Sequence, residues 1–88
     1  MKIKEGYTLH NIANEAILVP TDENIGNDCI SLDPVSADLW VAMKEKTSFC
    51  IEELTETIMS LYEVDRDTAH EDSIAIAETW LEMNIAEL

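Results

Sequence analysis

Apolar and polar residues alternate along the first third of the chain in a way that is typical of strands. Tyr7, Leu9 and Ile12 are interleaved with polar residues, and the apolar segment EAILVP follows after a short gap. A segment rich in turn-forming residues comes next, and the stretch CISL then alternates again. Three short strands with short connections predict an antiparallel meander, and the rest of the chain is expected to cover one of its faces.

Helix signals follow the third predicted strand. Asp33 can cap a helix and Pro34 suits its first position, so a helix is predicted that ends in the charged segment at residues 44–46. A second helix is predicted after Cys50, with Glu53 at the capping-box position. The residues predicted to face the core are Ala37, Leu39, Trp40 and Met43 in the first helix, and Ile51, Leu54, Ile58 and Leu61 in the second.

The third predicted helix starts after Val64 and Asp65 and runs to about Asn84. Its apolar residues occupy two adjoining faces, an arc wider than a single core contact needs. The first face holds Ser73, Ile76, Ala77 and Trp80, and the second holds Ile74, Leu81 and Ile85, with His70 and Glu78 near its edge. Either both faces belong to the core, or one flank is the wall of a groove where an extended peptide adds to the sheet edge.

Length, composition and charge limit the possible classes of protein. With 88 residues, 47% of them apolar, and only 2 Gly and 2 Pro, the chain is expected to form one domain over residues 1–88. Its 19 acidic and 5 basic residues give a formal net charge of −14. Affinity for nucleic acid depends on Lys and Arg at the phosphates, so this charge argues against a nucleic-acid partner.

Other features bear on compartment and chemistry. No stretch approaches the roughly 20 apolar residues of a membrane span, and the start MKIKEGYTLH has no apolar core of a signal peptide. A cytoplasmic protein without a membrane partner is therefore expected.

Cys29 and Cys50 lie far apart without CxxC spacing and are predicted to be reduced thiols. No spacing typical of a nucleophile with its base, a phosphate loop or a zinc site is found, so no catalytic or metal-binding residue is predicted.

A set of spacings along the chain resembles those of one known family. The set consists of Ile30, Leu32 and Asp33, then Ala37, Leu39 and Trp40, then Glu53 and Leu54, and finally Tyr62, Val64 and Asp65. It resembles the pattern of the pyrroloquinoline quinone biosynthesis protein D (PqqD) family, over nearly the whole chain after Glu5. This resemblance implies an α+β fold of the winged helix-turn-helix type, with a three-stranded antiparallel sheet followed by a three-helix bundle.

The resemblance also implies a function and a site. Proteins of this kind are non-catalytic chaperones without a cofactor that bind the leader of a ribosomally synthesised precursor peptide. They present the peptide to a modifying enzyme, often a radical S-adenosylmethionine (SAM) enzyme. The leader lies as an added strand on the third strand, beside the third helix. Carried over to this chain, the expected peptide-binding residues are Asp28, Cys29, Ile30, Ser31 and Leu32 on the strand, and Ile74, Ala77, Glu78 and Leu81 on the helix.

Two rival functions belong to other classes. A winged-helix transcription regulator would share the order of strands and helices. Acidic residues far outnumber basic ones from residue 45 to residue 88, however, so the surface that would contact DNA is repulsive to it. A structural adaptor subunit of a modifying enzyme fits the composition equally well.

The chain also departs from the family pattern at Ser73, a position that is more often apolar.

Overall fold

The computed structural model describes residues 1–21 and 29–88. A main sheet of three strands precedes three helices, and two further short strands lie outside these elements. In chain order the elements are β1 (Lys2–Ile3), β2 (Tyr7–Ile12), β3 (Glu15–Pro20), β4 (Ile30–Leu32), α1 (Pro34–Lys44), α2 (Ile51–Leu61), α3 (Arg66–Glu82) and β5 (Ala86–Glu87). The predicted α+β fold, with a three-stranded antiparallel sheet followed by three helices, is confirmed.

The main sheet is an antiparallel meander in the order β2–β3–β4. Ala13 and Asn14 both take positive φ, 53° and 68°, as a two-residue hairpin turn between β2 and β3 requires. The register sets Leu9 opposite Leu18 and Leu18 opposite Ile30, so these side chains share one face of the sheet. That face is turned toward the helices, because Leu18 is completely buried.

A second sheet of two strands was not predicted from the sequence. β1 pairs antiparallel with β5, with Lys2 opposite Glu87 and Ile3 opposite Ala86. The Lys2 ammonium lies 3.2 Å from the Glu87 carboxylate. The chain reverses into β5 at Asn84, whose φ of 64° is a left-handed conformation that asparagine tolerates. The first and last described residues of the chain are thereby held side by side.

α1 and α3 begin at carboxylate caps, as predicted. The Asp33 carboxylate accepts a hydrogen bond from the backbone N–H of Ser36 at 3.0 Å, and Asp65 accepts one from Thr68 at 3.1 Å. Hydrogen bonds with Thr68 hold the pKa of the Asp65 carboxyl below its ordinary value. α2 begins after Cys50, whose side chain caps no backbone N–H among the described residues.

The helices and the inner face of the main sheet enclose one core around Trp40 and Trp80, both almost fully buried. Phe49 packs edge-to-face on Trp80 with ring centroids 6.1 Å apart. The core residues predicted for α1 and α2 are buried or half-buried except Leu61, which is 50% exposed. The prediction for Leu61 is wrong because the buried arc of α2 extends toward Thr55, and Leu61 lies at its far edge in the last turn.

Two hydroxyl groups lie inside the contact between α2 and α3. Ser73 and Thr55 are fully buried, and their Oγ atoms are 3.2 Å apart. The Ser73 hydroxyl donates to the carbonyl oxygen of Ala69 at 2.8 Å, and the Thr55 hydroxyl donates to that of Ile51 at 2.9 Å. The buried serine on α3 therefore has a satisfied hydrogen bond, which is what a polar group needs in a core.

Cys29 and Cys50, the two cysteines of the chain, are free, in agreement with the prediction of reduced thiols, and both are exposed to solvent. Among the helices of the described residues, none has both the length and the apolar character that crossing a membrane requires.

Candidate functional site

β4 lies at one edge of the main sheet. It pairs with β3 along one side, with Ile30 opposite Leu18 and Leu32 opposite Ala16. No other strand in the described part of the chain pairs with its outer side. Within residues 1–21 and 29–88, the backbone N–H and C=O groups on that side have no strand partner. An edge of this kind can accept an extended peptide through main-chain hydrogen bonds.

A cleft runs between the free edge of β4 and α3. We call it the β4–α3 cleft, and its cavity has a volume of about 280 Å³. The cavity is lined by Ser31 and Leu32 of β4, by Asp33 and Ser36 at the start of α1, and by Ala75, Ile76, Thr79, Trp80 and Met83 on the α3 side. The cleft thus lies directly beside the backbone groups that β4 leaves unpaired.

The β4–α3 cleft combines apolar walls with hydroxyl groups. Trp80 and Leu32 are buried, Ile76 is half-buried, and Met83 is 40% exposed. The Thr79 hydroxyl donates to a carbonyl oxygen of its own helix at 2.9 Å. Leu32 and Trp80 belong to the core and Ile76 packs against it, so the cleft offers an apolar surface suited to binding an apolar side chain.

The strand residues predicted for the site are brought to the cleft in part. Ser31 and Leu32 line its cavity. Ile30 is half-buried at the start of β4, and Cys29 precedes it in an exposed position. Asp28, the remaining predicted strand residue, lies outside the described residues.

The helix residues predicted for the site lie on other faces of α3. Ala77 is buried in the core, and Leu81 is half-buried. Ile74 is 38% exposed, and Glu78 is also exposed. None of these four residues lines the cavity beside β4. The structure therefore separates them from Ser31 and Leu32.

A different row of residues on the α3 side faces the cleft. Ile76, Thr79 and Met83 follow one another at i, i+3 and i+7, so they lie on one side of the helix axis. Sequence reasoning misses this row because Thr79 interrupts its apolar character. The spacing of Ile76 and Met83 next to the core residue Trp80 is the signal that could have found it.

A family model covers most of the chain: the one described as Coenzyme PQQ synthesis protein D (PqqD) matches residues 15–85. The chain belongs to the PqqD family. The matched range includes β3, β4 and all three helices, and therefore both walls of the β4–α3 cleft. The resemblance inferred from the spacings of this PqqD-family chain is confirmed.

Two solved structures share the fold of this PqqD-family chain. TbiB1 in complex with the TbiA(beta) leader peptide matches with a TM-score of 0.75 and 24% identity, over 99% of this chain and 95% of that one. Lasso peptide synthetase B1 complexed with the leader peptide matches with a TM-score of 0.73 and 15% identity, over 99% of this chain and 96% of that one. No curated protein sequence matches the chain.

Proposed function

We propose that this PqqD-family chain binds the leader of a ribosomally synthesised precursor peptide in the β4–α3 cleft and presents the peptide to a modifying enzyme. The observation that carries the proposal is the free edge of β4 beside an apolar cavity. The leader would extend the main sheet as a further strand. Recognition of this kind requires neither a catalytic residue nor a cofactor in this chain.

Strand addition divides the recognition into two parts. Main-chain hydrogen bonds to β4, with Cys29 continuing its edge, would hold any extended peptide. Side chains of an added strand alternate between its faces, so one of them would enter the cavity between Leu32 and Ile76 and provide selectivity. In this proposal the helix wall consists of Ile76, Thr79 and Met83, in place of the four helix residues predicted from the sequence.

The relatives support this assignment. TbiB1 and lasso peptide synthetase B1 share the fold and were both solved with a leader peptide. Membership of the PqqD family supports a partner enzyme that modifies the peptide, and we propose a radical SAM enzyme or another peptide-modifying enzyme. The exposed, free thiols of Cys29 and Cys50 suit the cytoplasm, where such a peptide would be made.

Nuclear magnetic resonance titration of the isotope-labelled chain tests the proposal. The probes are synthetic peptides that cover the N-terminal parts of the small peptides encoded beside this chain. Amide shifts are expected to concentrate in residues 29–32 and 75–83, because these segments form the two walls of the cleft. No shift at about millimolar peptide would mean binding weaker than about −4 kcal/mol. That result would favour an adaptor that contacts only the enzyme.

A matched pair of variants tests which side of α3 forms the wall. Met83 and Ile74 are 40% and 38% exposed, so replacing either removes little from the core. Met83→Ser is expected to weaken leader binding about ten-fold, through the loss of about 1.4 kcal/mol of apolar contact. Ile74→Ser should change the Kd by less than about two-fold, since Ile74 does not line the cavity. A larger effect at Ile74 would move the wall to the face predicted from the sequence.

A further inference from the structure

An exposed apolar surface lies across α1 and α2. Val41 is 53% exposed and Leu61 is 50% exposed, and together with Ala42 they line a cavity of about 520 Å³ between the two helices. We call these three residues and the flanking Asp38 and Glu56 the α1–α2 surface. Large apolar side chains that stay exposed next to one another are typical of interaction sites.

The charged side chains that line the α1–α2 surface, among the described residues, are the acidic Asp38 and Glu56. Arg66 lies at the start of α3, 3.9 Å from the Glu52 carboxylate. The chain has four lysines, and all of them line a separate cleft at the C-terminal end of α1: Lys2, Lys4, Lys44 and Lys46. In a chain of net charge −14, the rim of the α1–α2 surface attracts the Lys and Arg side chains of a partner.

A contact between α1 and the end of α2 holds the α1–α2 surface in shape. The Tyr62 hydroxyl donates to the Asp38 carboxylate at 2.6 Å. This hydrogen bond raises the pKa of Tyr62 above its ordinary value. A surface formed in advance loses less conformational entropy on binding than one that must be ordered by its partner.

The α1–α2 surface and the β4–α3 cleft lie on opposite sides of α1. Ser36 lines the cleft, whereas Asp38, Val41 and Ala42 line the surface. At about 100° per residue, these three point roughly 180° away from Ser36. The two sites share no lining residue, so a peptide in the cleft does not displace a partner on the surface.

We infer that the α1–α2 surface docks the modifying enzyme, through a segment of that enzyme with apolar side chains flanked by Lys or Arg. This inference rests on the proposed function, in which the chain holds a peptide for a second protein. A second copy of the chain fits poorly, because two acidic rims would face each other. Nucleic acid fits poorly as well, because its phosphates would face Asp38 and Glu56.

A defined probe tests the chemistry of the α1–α2 surface. A synthetic helical peptide of Leu and Lys, with Leu on one face, is titrated into the isotope-labelled chain, and a peptide with Glu in place of each Lys serves as its counterpart. The Lys peptide is expected to shift the amides of residues 38–42 and 56–61, and the Glu peptide to shift none. Binding of the Lys peptide should weaken at about 0.3 M salt, because exposed charges are then screened.

Two variants at positions of similar exposure distinguish binding at the α1–α2 surface from nonspecific binding to exposed apolar side chains. Leu61→Ser is expected to raise the Kd of the Lys peptide at least about ten-fold, because it removes the apolar centre of the α1–α2 surface. Ile12→Ser changes a side chain that is 56% exposed at the end of β2, and it should leave the affinity within about two-fold. Calorimetry with the modifying enzyme itself should show the same difference between the two variants. Equal losses in both variants, or shifts spread over every acidic helix, would overturn the inference.

Leader titration distinguishes the failure of this inference from the failure of the proposed function. Leu61→Ser is expected to bind the leader with a Kd within about two-fold of the unaltered chain, because Leu61 does not line the cleft. If the unaltered chain binds the Lys peptide at residues 38–42 and 56–61 but binds no leader, the proposed function fails and the docking surface stands. If it binds the leader but Leu61→Ser leaves the enzyme complex unchanged, the docking surface fails and the proposed function stands.

Discussion

Leu39 and Trp40 are adjacent in α1, yet they are only 0% and 2% exposed. Successive helix residues point about 100° apart, so α1 has to be covered on two sides. α1 is in contact with α2, with β1 of the two-stranded sheet, and with β3 and β4 of the main sheet. The Lys44 ammonium lies 4.9 Å from the centroid of the Trp40 ring, a favourable cation–π contact. The core is therefore built around α1, and a side chain removed from this helix leaves contacts unmade on several elements.

Leu39→Ala is expected to lower the free energy of unfolding by about 2–5 kcal/mol, because a fully buried leucine leaves a cavity when it is truncated. Val41→Ala is the control on the same helix, and it should change this free energy by less than about 0.5 kcal/mol. Urea denaturation followed by circular dichroism measures both. Equal effects at the two positions would contradict the burial of α1 described above.

Burial of single residues could be predicted from the sequence where an apolar stripe is regular, as it is in α1. Leu61 fits the apolar period of α2 equally well, but the buried arc of that helix extends toward Thr55 and leaves Leu61 at its edge. Ser73 is the opposite case, a polar residue in the core. Its hydroxyl donates to the Ala69 carbonyl of the same helix and lies beside Thr55 of α2, and no local pattern in α3 identifies that neighbour.

The three helices begin with N-caps of unequal quality. α1 and α3 have carboxylates that accept backbone hydrogen bonds, whereas the Cys50 Sγ lies 3.8 Å from the Glu53 Oε1. That carboxylate is also bonded by the Lys46 ammonium at 2.8 Å, and this bond is the main reason why the pKa of Glu53 is lowered. The backbone N–H groups of the first turn of α2 thus gain no bond from the Cys50 side chain.

Cys50→Ser is expected to raise the free energy of unfolding by about 0.5–1 kcal/mol, because a serine oxygen at the N-cap accepts a hydrogen bond from the first turn. Cys50 is exposed and already has the extended backbone of an N-cap, so the change disturbs no core contact. Thermal unfolding of Cys50→Ser and Cys50→Ala gives the comparison. An equal gain in the alanine variant would assign the effect to loss of the thiol and contradict capping.

Elements could be predicted where their signals are local. The alternation of β2 and β3, and the caps at Asp33 and Asp65, act within a few residues of one another. β1 and β5 were missed because each has two residues and its partner lies at the other end of the chain. The face that α3 turns to the cleft is likewise not fixed by a local signal. Its apolar arc allows more than one orientation, and packing against α2 selects one of them.

Charge acts on the whole molecule as a destabilising force. The chain carries a net charge of −14, and four of its 5 basic residues line a single cleft. On α2, Glu53 lies 2.8 Å from the Lys46 ammonium and Glu52 lies 3.9 Å from the Arg66 guanidinium. The acidic side chains of α3 form no ion pair with another described residue. Mutual repulsion of this kind favours the unfolded chain, in which the charges are farther apart.

Sodium chloride is expected to raise the Tm, because the Debye length shrinks from about 10 Å at 0.1 M salt to about 3 Å at 1 M. A relief of about 1 kcal/mol corresponds to about 4–8 °C for a domain of this size. Differential scanning calorimetry over this range of salt measures the shift. A falling Tm would mean that ion pairs such as the one between Lys46 and Glu53 outweigh the repulsion.

The pairing of β1 with β5 sets a rule for building larger proteins from this fold. Lys2 lies opposite Glu87, so the two ends of the described chain leave the molecule at the same place. A second domain fused ahead of residue 1 or behind residue 88 would therefore start from nearly the same point in space. For the position of that second domain, the order of the two domains in the fusion would matter less than the length of the linker between them.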